Sequence, residues 1–337
     1  VKELIRKLVE AWGPSGYEHH VRKIIEGEVA DLADEMTVDP LGNLICRIGS
    51  SGPKVMMAAH MDEIGLMATF VEKTTGYLRF SPIGGLLNTS LVGNRVRFED
   101  GTVGVIGAPD MFGGSRTSVP NLDDFYIDVS DGNGSGRVQP GSPAAFYRPM
   151  EERGTRLIAK SMDDRIACAI AIESMRRLKK AKKKKLPNQA YFVFTVQEEV
   201  GLRGARPAAY SVDPDVAIAL DVTSTGDMIK NEKMAVKLGG GAAIKIHDTG
   251  LVVPPAVRDW MIDRAEADGI PYQLEMLTLG STDAAGIQTA RAGVPSGCIS
   301  IPCRFVHTNS ETVDINDVEA CVALLTGLLS HPAPFGN

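Results

Sequence analysis

The spacing of apolar and polar positions changes period repeatedly along the chain, and each change marks an element. Residues 1–12 place Leu4, Ile5, Leu8 and Val9 on one helical stripe, which Gly13-Pro14 stops. Ser15 is placed to cap a second helix carrying Val21, Ile24 and Ile25 and running to about Leu32. Residues 36–38 and 44–48 flank Pro40-Leu-Gly-Asn43 and predict a hairpin. The runs 54–59, 190–196 and 216–220 are apolar without alternation and predict strands buried on both faces. A helix with Ile166, Ala169, Ile170 and Met175 is predicted after residues 157–165, with Asp163 and Asp164 at its N-terminus, where the helix dipole favours carboxylates. Further helices are predicted at 201–210, 255–268, 283–290 and 314–329, and strands at 272–276 and 297–301. Alternating strands and helices predict a three-layer α/β/α sandwich with a central mixed, largely parallel sheet.

Between residues 66 and 156 the texture changes to short β-rich runs, such as 77–80, 95–98 and 103–106, separated by Gly, Pro and Asp. This predicts a small β-barrel-like domain, 66–156, inserted into a main domain made of 1–65 and 157–337. Gly/Ser-rich loops are expected at 110–119 and 131–142, and no fixed-period repeat is present.

The chain of 337 residues is 44% hydrophobic and 23% charged, as an ordinary globular protein is. A net charge of -6 argues against nucleic acid as a partner. The six lysines within residues 179–185 read as a solvated helix end and loop. Five scattered cysteines without Cys-x-x-Cys spacing read as buried thiols of a reducing compartment, and no apolar run is long enough to span a bilayer. A cytoplasmic location without membrane contact is the expectation.

Chemistry gathers where the apolar runs end. Glu198 and Glu199 follow the run 190–196 directly, and two carboxylates there need a cation or a proton-transfer task to offset their desolvation. Neighbours on an extended chain point to opposite sides, so the pair can divide those two tasks. His60 and Asp62 share one side of the strand end at 54–60, Asp221 ends the run 216–220, and His307 follows 297–301. In open α/β sheets ligands bind at the carboxyl ends of strands. Two imidazoles with several carboxylates and no thiolate suit zinc, cobalt or manganese. His19, His20, His247 and His331 lack such company and read as structural.

Taken together, Ala59-His-Met-Asp-Glu-Ile-Gly65, Ala159-Lys-Ser-Met-Asp-Asp-Arg165, Gln197-Glu-Glu-Val-Gly201, Asp221, Ser281-Thr-Asp-Ala-Ala-Gly286 and the stretch from Arg291 to His307 resemble the TET-type dinuclear metalloaminopeptidases, the group also labelled glutamyl aminopeptidase or cellulase-M-like. The resemblance covers essentially the whole chain. It implies two divalent ions, zinc or cobalt first and manganese next, with His60 and Asp221 on one, Glu199 and His307 on the other, and Asp163 bridging. It also implies Glu198 as general acid/base, Asp62 as the partner orienting His60, and a cis peptide after Asp163. The implied substrates are peptides with a free N-terminus, and the implied assembly is a homo-oligomer, typically a tetrahedral dodecamer. The chain departs from the family pattern at Met228 and Ala242, where prolines are expected, and at residues 108–112, which lack a histidine. No basic residue lies in a site motif except Arg165 and Arg304, which are expected to brace carboxylates, so a neutral aliphatic N-terminal residue is the expected substrate. Three other readings remain. A glycan hydrolase needs two opposed carboxylates and has no general need for two histidines. An N-acyl amino acid deacylase would use similar ligands, and a non-catalytic module has no use for Glu198.

Overall fold

A computed structural model of the chain describes residues 1–109, 119–130, 138–181, 185–229 and 233–336. The strand Lys54–His60 lies at its centre. It pairs in parallel with Gln189–Thr195 on one side and Val216–Thr223 on the other, and Val216–Thr223 pairs in parallel with Ser296–Arg304. These four strands are the middle of an 11-stranded mixed sheet. Antiparallel strands finish it: Leu44–Ile48 and Glu35–Val38 at one side, Glu311–Asp314, Arg156–Ala159 and Glu151–Arg153 at the other. Ala242–His247 and Tyr272–Met276 branch from Ser296–Arg304.

Successive side chains on a strand point to opposite faces, so one apolar run can feed two cores. Val55, Met57 and Ala59 pack with Ile166 and Ile170 of the helix Met162–Lys180 in the larger core. Met56 and Ala58 pack on the other face with Ala205 and Ala208 of Ala205–Val212 and Ile287 of Asp283–Gln288. That alternation produces the three layers. Ile315–Ser330 lies beside Met162–Lys180 and starts with the Asp314 side chain accepting the Asn316 N–H. Lys179 and Lys180 close the last turn of Met162–Lys180, the helix end that favours cations.

Gly65–Val71, Leu78–Ile83, Tyr126–Asp128, Val103–Gly107, Arg95–Phe98 and Pro143–Phe146 close into a separate barrel around Leu66, Leu78, Phe98, Ile127 and Phe146. Closure removes the exposed strand edges that six such short strands would otherwise present.

Several expectations are corrected. The first helix is Lys2–Val9, and the second is His19–Val29, flanked by Glu18. Ser15 does not cap it; its hydroxyl donates to Asp62 at 2.6 Å. The helix expected at 201–210 is Ala205–Val212, because the chain turns through positive φ at Gln197, Gly201 and Leu202 first. Asp163 and Asp164 have non-helical dihedrals, whereas the cis peptide that the resemblance implied between them is present. The strands Arg156–Ala159, Ala242–His247 and Glu311–Asp314 have no counterpart in the apolar pattern. Most of the two Gly/Ser-rich loops, and Lys182 to Lys184, lie outside the described residues. Among the described residues no helix is long and apolar enough to cross a membrane.

Candidate metal centre

The four parallel strands end on one side of the sheet, and their ends converge. His60 closes its strand, Glu198 and Glu199 follow Gln189–Thr195, Asp221 lies in the last part of Val216–Thr223, and His307 follows Ser296–Arg304 at φ 62°. The turn ahead of the long helix brings in Asp163. Its two oxygens face different imidazoles, Oδ1 at 3.0 Å from His60 Nε2 and Oδ2 at 3.4 Å from His307 Nε2. His307 Nε2 is also 3.3 Å from Glu199 Oε2. His60, Asp163 and Glu199 offer ligand atoms within 4.8 Å of one another, as do His60, Asp164 and Asp221. Ligand atoms sharing one tetrahedral zinc at its usual bond lengths lie about 3.3 Å apart, so these spacings suit a cation.

Two further observations fit a metal. His60 Nδ1 is 3.2 Å from the Asp62 carbonyl oxygen and 3.4 Å from Asp62 Oδ1. With its proton donated there, the Nε2 lone pair faces an Asp163 oxygen, a contact that needs a proton or a cation between the two atoms. In addition, Glu199 Oε1 and Asp164 Oδ1 are buried without a hydrogen-bond partner. Unpaired carboxylate oxygens in a dry site are costly unless an ion takes them.

The electrostatics agree. Burial, then the Asp163 charge, pushes Asp221 and Glu199 up, and burial with the Asp221, Asp283 and Glu199 charges pushes Glu198 well above the carboxylate range despite nearby His60. Burial opposes charge on His307, but hydrogen bonds to Asp163 and Glu199 outweigh it and push the imidazole up to about 12. His60 is likewise raised well above its ordinary value: burial works against the charge, and the Asp163 and Asp62 hydrogen bonds overcome it. Asp163 is held low, because the two imidazoles outweigh its burial. Two histidines are therefore too little positive charge for the carboxylates gathered here.

Three buried side chains that sequence reasoning gave no role at the metal site hold this geometry. Glu311 accepts the backbone N–H of Asp163 at 2.9 Å and of His307 at 2.8 Å. Asp283 accepts the Thr195 hydroxyl at 2.5 Å beside the strand end that leads to Glu198. Asp164 accepts the His60 N–H at 3.2 Å. The sequence signal for Asp283 and Asp164 was present, since both lie in the motifs quoted above; Glu311 had none. Asp62 accepts the N–H groups of Glu198 at 3.0 Å and Glu199 at 3.2 Å, so it orients both glutamates as well as His60. Arg165 donates mainly to carbonyls, of Met61, Leu8 and Gly13, and at 3.3 Å to Glu63, whereas Arg304 pairs with Asp227 at 2.6 Å.

A cleft of about 850 Å³ opens in front of the cluster. Asp163, Glu198, Glu199, Asp221 and His307 form its floor, and its walls include Leu87, Met228, Met276 and Leu279, with Lys233 among them. The departure at Met228 thus falls on the cleft wall.

The sequence model of the family described as M42 glutamyl aminopeptidase matches residues 42–324. A relative from Acetivibrio thermocellus is 41% identical, covering 96% of each chain. The lysyl aminopeptidase of Pyrococcus furiosus is 35% identical, covering 98% of this chain and 97% of its own. Among solved structures, the TET1 peptidase of Pyrococcus horikoshii, described as able to assemble into a tetrahedron or a large octahedral shell, superposes with a TM-score of 0.86 at 33% identity, over 97% of this chain and 98% of that one. A match spanning most of the sequence, with relatives matched over nearly their whole length, means that this chain belongs to the M42 glutamyl aminopeptidase family.

Proposed function

We propose that the chain is a dinuclear metal-dependent aminopeptidase, in which His60 and Asp221 hold one divalent ion, Glu199 and His307 a second, and Asp163 spans both. The observation that carries this reading is the position of Asp163, with one oxygen on each imidazole at 3.0 and 3.4 Å. Zinc or cobalt suits this mixed imidazole and carboxylate set, and manganese is the next choice. Divalent ions held there would acidify the attacking water and polarise the scissile carbonyl.

The chain's own residues supply the rest. Glu198 has its carboxylate on the cleft floor, 3.9 Å from His60 Nε2, and takes no place in the proposed ligand set. Its burial favours holding a proton, so it takes one from the water and delivers it to the departing amine nitrogen. Asp62 fixes the Glu198 backbone and the His60 ring together, so base and ligand keep their spacing. The apolar part of the cleft wall, Leu87, Met228, Met276 and Leu279, receives the first side chain of the peptide and favours neutral, aliphatic residues, with Lys233 also on the wall as the group that an acidic side chain would seek. In the same reading residues 66–156 act as a unit inserted between 1–65 and 157–337, bounding access to the cleft and offering subunit contacts in a homo-oligomer.

The test compares Glu198→Gln with Glu199→Gln on leucyl, glutamyl and lysyl chromogenic substrates, alongside metal content by elemental analysis. Leucyl substrates should be best for the parent protein. Glu198→Gln keeps two metals per chain while kcat falls by roughly 10² to 10⁴, the usual worth of a general base. Glu199→Gln binds less metal, and excess metal restores part of its activity. If Glu198→Gln loses a metal and Glu199→Gln keeps both, the two roles are reversed.

A further inference from the structure

A second group of metal-type ligands stands apart from the cleft. His19 and His20 open the helix His19–Val29, and Glu99 follows the barrel strand Arg95–Phe98. Both imidazoles turn Nε2 toward the same carboxylate oxygen, Glu99 Oε1, at 3.5 Å from His19 and 3.2 Å from His20. All three ligand atoms lie within 4.8 Å of one another. The apolar pattern left both histidines without a role, because Glu99 is far away in sequence and meets them only when the barrel docks.

We propose that His19, His20 and Glu99 form a separate cation site, an imidazole, imidazole and carboxylate set for a borderline divalent metal such as zinc or nickel, which ties the first helical layer to the barrel. The two spacings to Glu99 bracket the roughly 3.3 Å edge of a tetrahedral zinc shell, and the two imidazole nitrogens lie within 4.8 Å of each other, so a metal would complete the third edge by a shift of the exposed side chains. Three protein ligands leave the remaining position to water, as suits an exposed site. Burial and the neighbouring His20 push the His19 pKa down, and the neutral imidazole is the form that binds metal. Arg22 and Lys23 lie within a turn of these ligands and oppose a cation, so the site is weaker than the buried centre.

A reporter is already in place. The Trp12 ring lies edge-on to His20 at 5.4 Å between centroids, and its N–H donates to the Arg97 carbonyl at 2.8 Å, which holds the indole beside the site. The chain has two tryptophans, and Trp260 packs elsewhere, against Phe335.

The experiment uses untagged, zinc-loaded protein freed of unbound ions, carrying Trp260→Phe so that Trp12 alone emits. Nickel(II) is titrated while Trp12 emission is followed, and bound nickel is counted after desalting. Saturable quenching with one added nickel per chain is expected. His19→Ala and His20→Ala should each weaken it by more than about tenfold, since even an outer hydrogen-bond partner of a ligand is worth that much; Glu99→Gln should weaken it less. His20 and Glu99 are exposed and His19 is half-buried, so folding is expected to be preserved, and the zinc content of the cleft serves as the check. Quenching that never saturates, or that keeps the parent protein's affinity in both histidine variants, overturns the proposal and leaves an ordinary hydrogen-bonded surface pair.

Discussion

Glu311 holds one carboxylate oxygen on the Asp163 N–H and the other on the His307 N–H, so it sets the distance between two proposed ligands without touching an ion. A glutamine can accept only one of these bonds, and its NH2 group would confront the other N–H. Glu311→Gln is therefore expected to cost about 1–3 kcal/mol, the price of a buried donor left unsatisfied. Metal affinity should fall by about 10- to 100-fold, as for other groups that orient ligands. Thermal melting and competition with a chelator measure the two effects; a lower melting point with unchanged metal affinity would reduce Glu311 to a structural role. This residue also marks a limit of what the sequence discloses. His60, Glu198, Glu199, Asp221 and His307 could be singled out because each ends or follows an apolar run. Glu311 sits in a four-residue strand with no period to announce it. Ser15 was misread for a related reason: a hydroxyl near a helix start suits a cap, and only the fold reveals that it goes to Asp62 instead.

Among elements, the turn after Leu78–Ile83 brings the barrel to the metal centre. A Cβ on Gly85 would lie 2.9 Å from His307 Nδ1, and one on Gly84, at φ +76°, would lie 3.2 Å from Glu199 Oε2. Contacts this close leave no room for a side chain on the backbone that lines the cleft. Gly85→Ala should therefore leave the barrel folded and displace the His307 ring, weakening metal binding by about tenfold or more while the circular dichroism spectrum is unchanged. Unaltered metal binding would mean that the turn simply moves aside. The barrel itself was legible from short β-rich runs between Gly, Pro and Asp. Its approach to His307 was not, because that contact depends on how two separately patterned stretches dock.

For the whole molecule, the excess of buried carboxylate makes metal and protons competitors. His60 and His307 have folded pKa values above 6.5, so the stability they confer is complete below that value and is lost as pH rises through the folded values, toward about 12 for His307. Glu198 and Asp221, raised well above 4.5 and 3.8, lose theirs in the same direction. Asp62 and Asp163 are lowered, and their contribution is lost only as pH falls below the ordinary carboxylate range. Chelated protein should thus melt at progressively lower temperature from pH 6 to pH 9, and added metal should raise the melting temperature more at pH 9 than at pH 6. A metal increment that shrinks with rising pH would contradict this account. The proposed homo-oligomer is checked by light scattering of metal-loaded protein, where a monomer mass would exclude it and a twelvefold mass would match a tetrahedral assembly.

The central cluster draws on strand ends scattered from His60 to His307, and its last imidazole arrives only with the strand Ser296–Arg304. During synthesis, a chain still short of that strand holds His60, Asp163 and Glu199 without their final partner. The proposed hydrolytic competence therefore depends on that strand having joined the sheet, so a chain cut before Ser296 should bind metal less tightly than the full chain and lack peptidase activity.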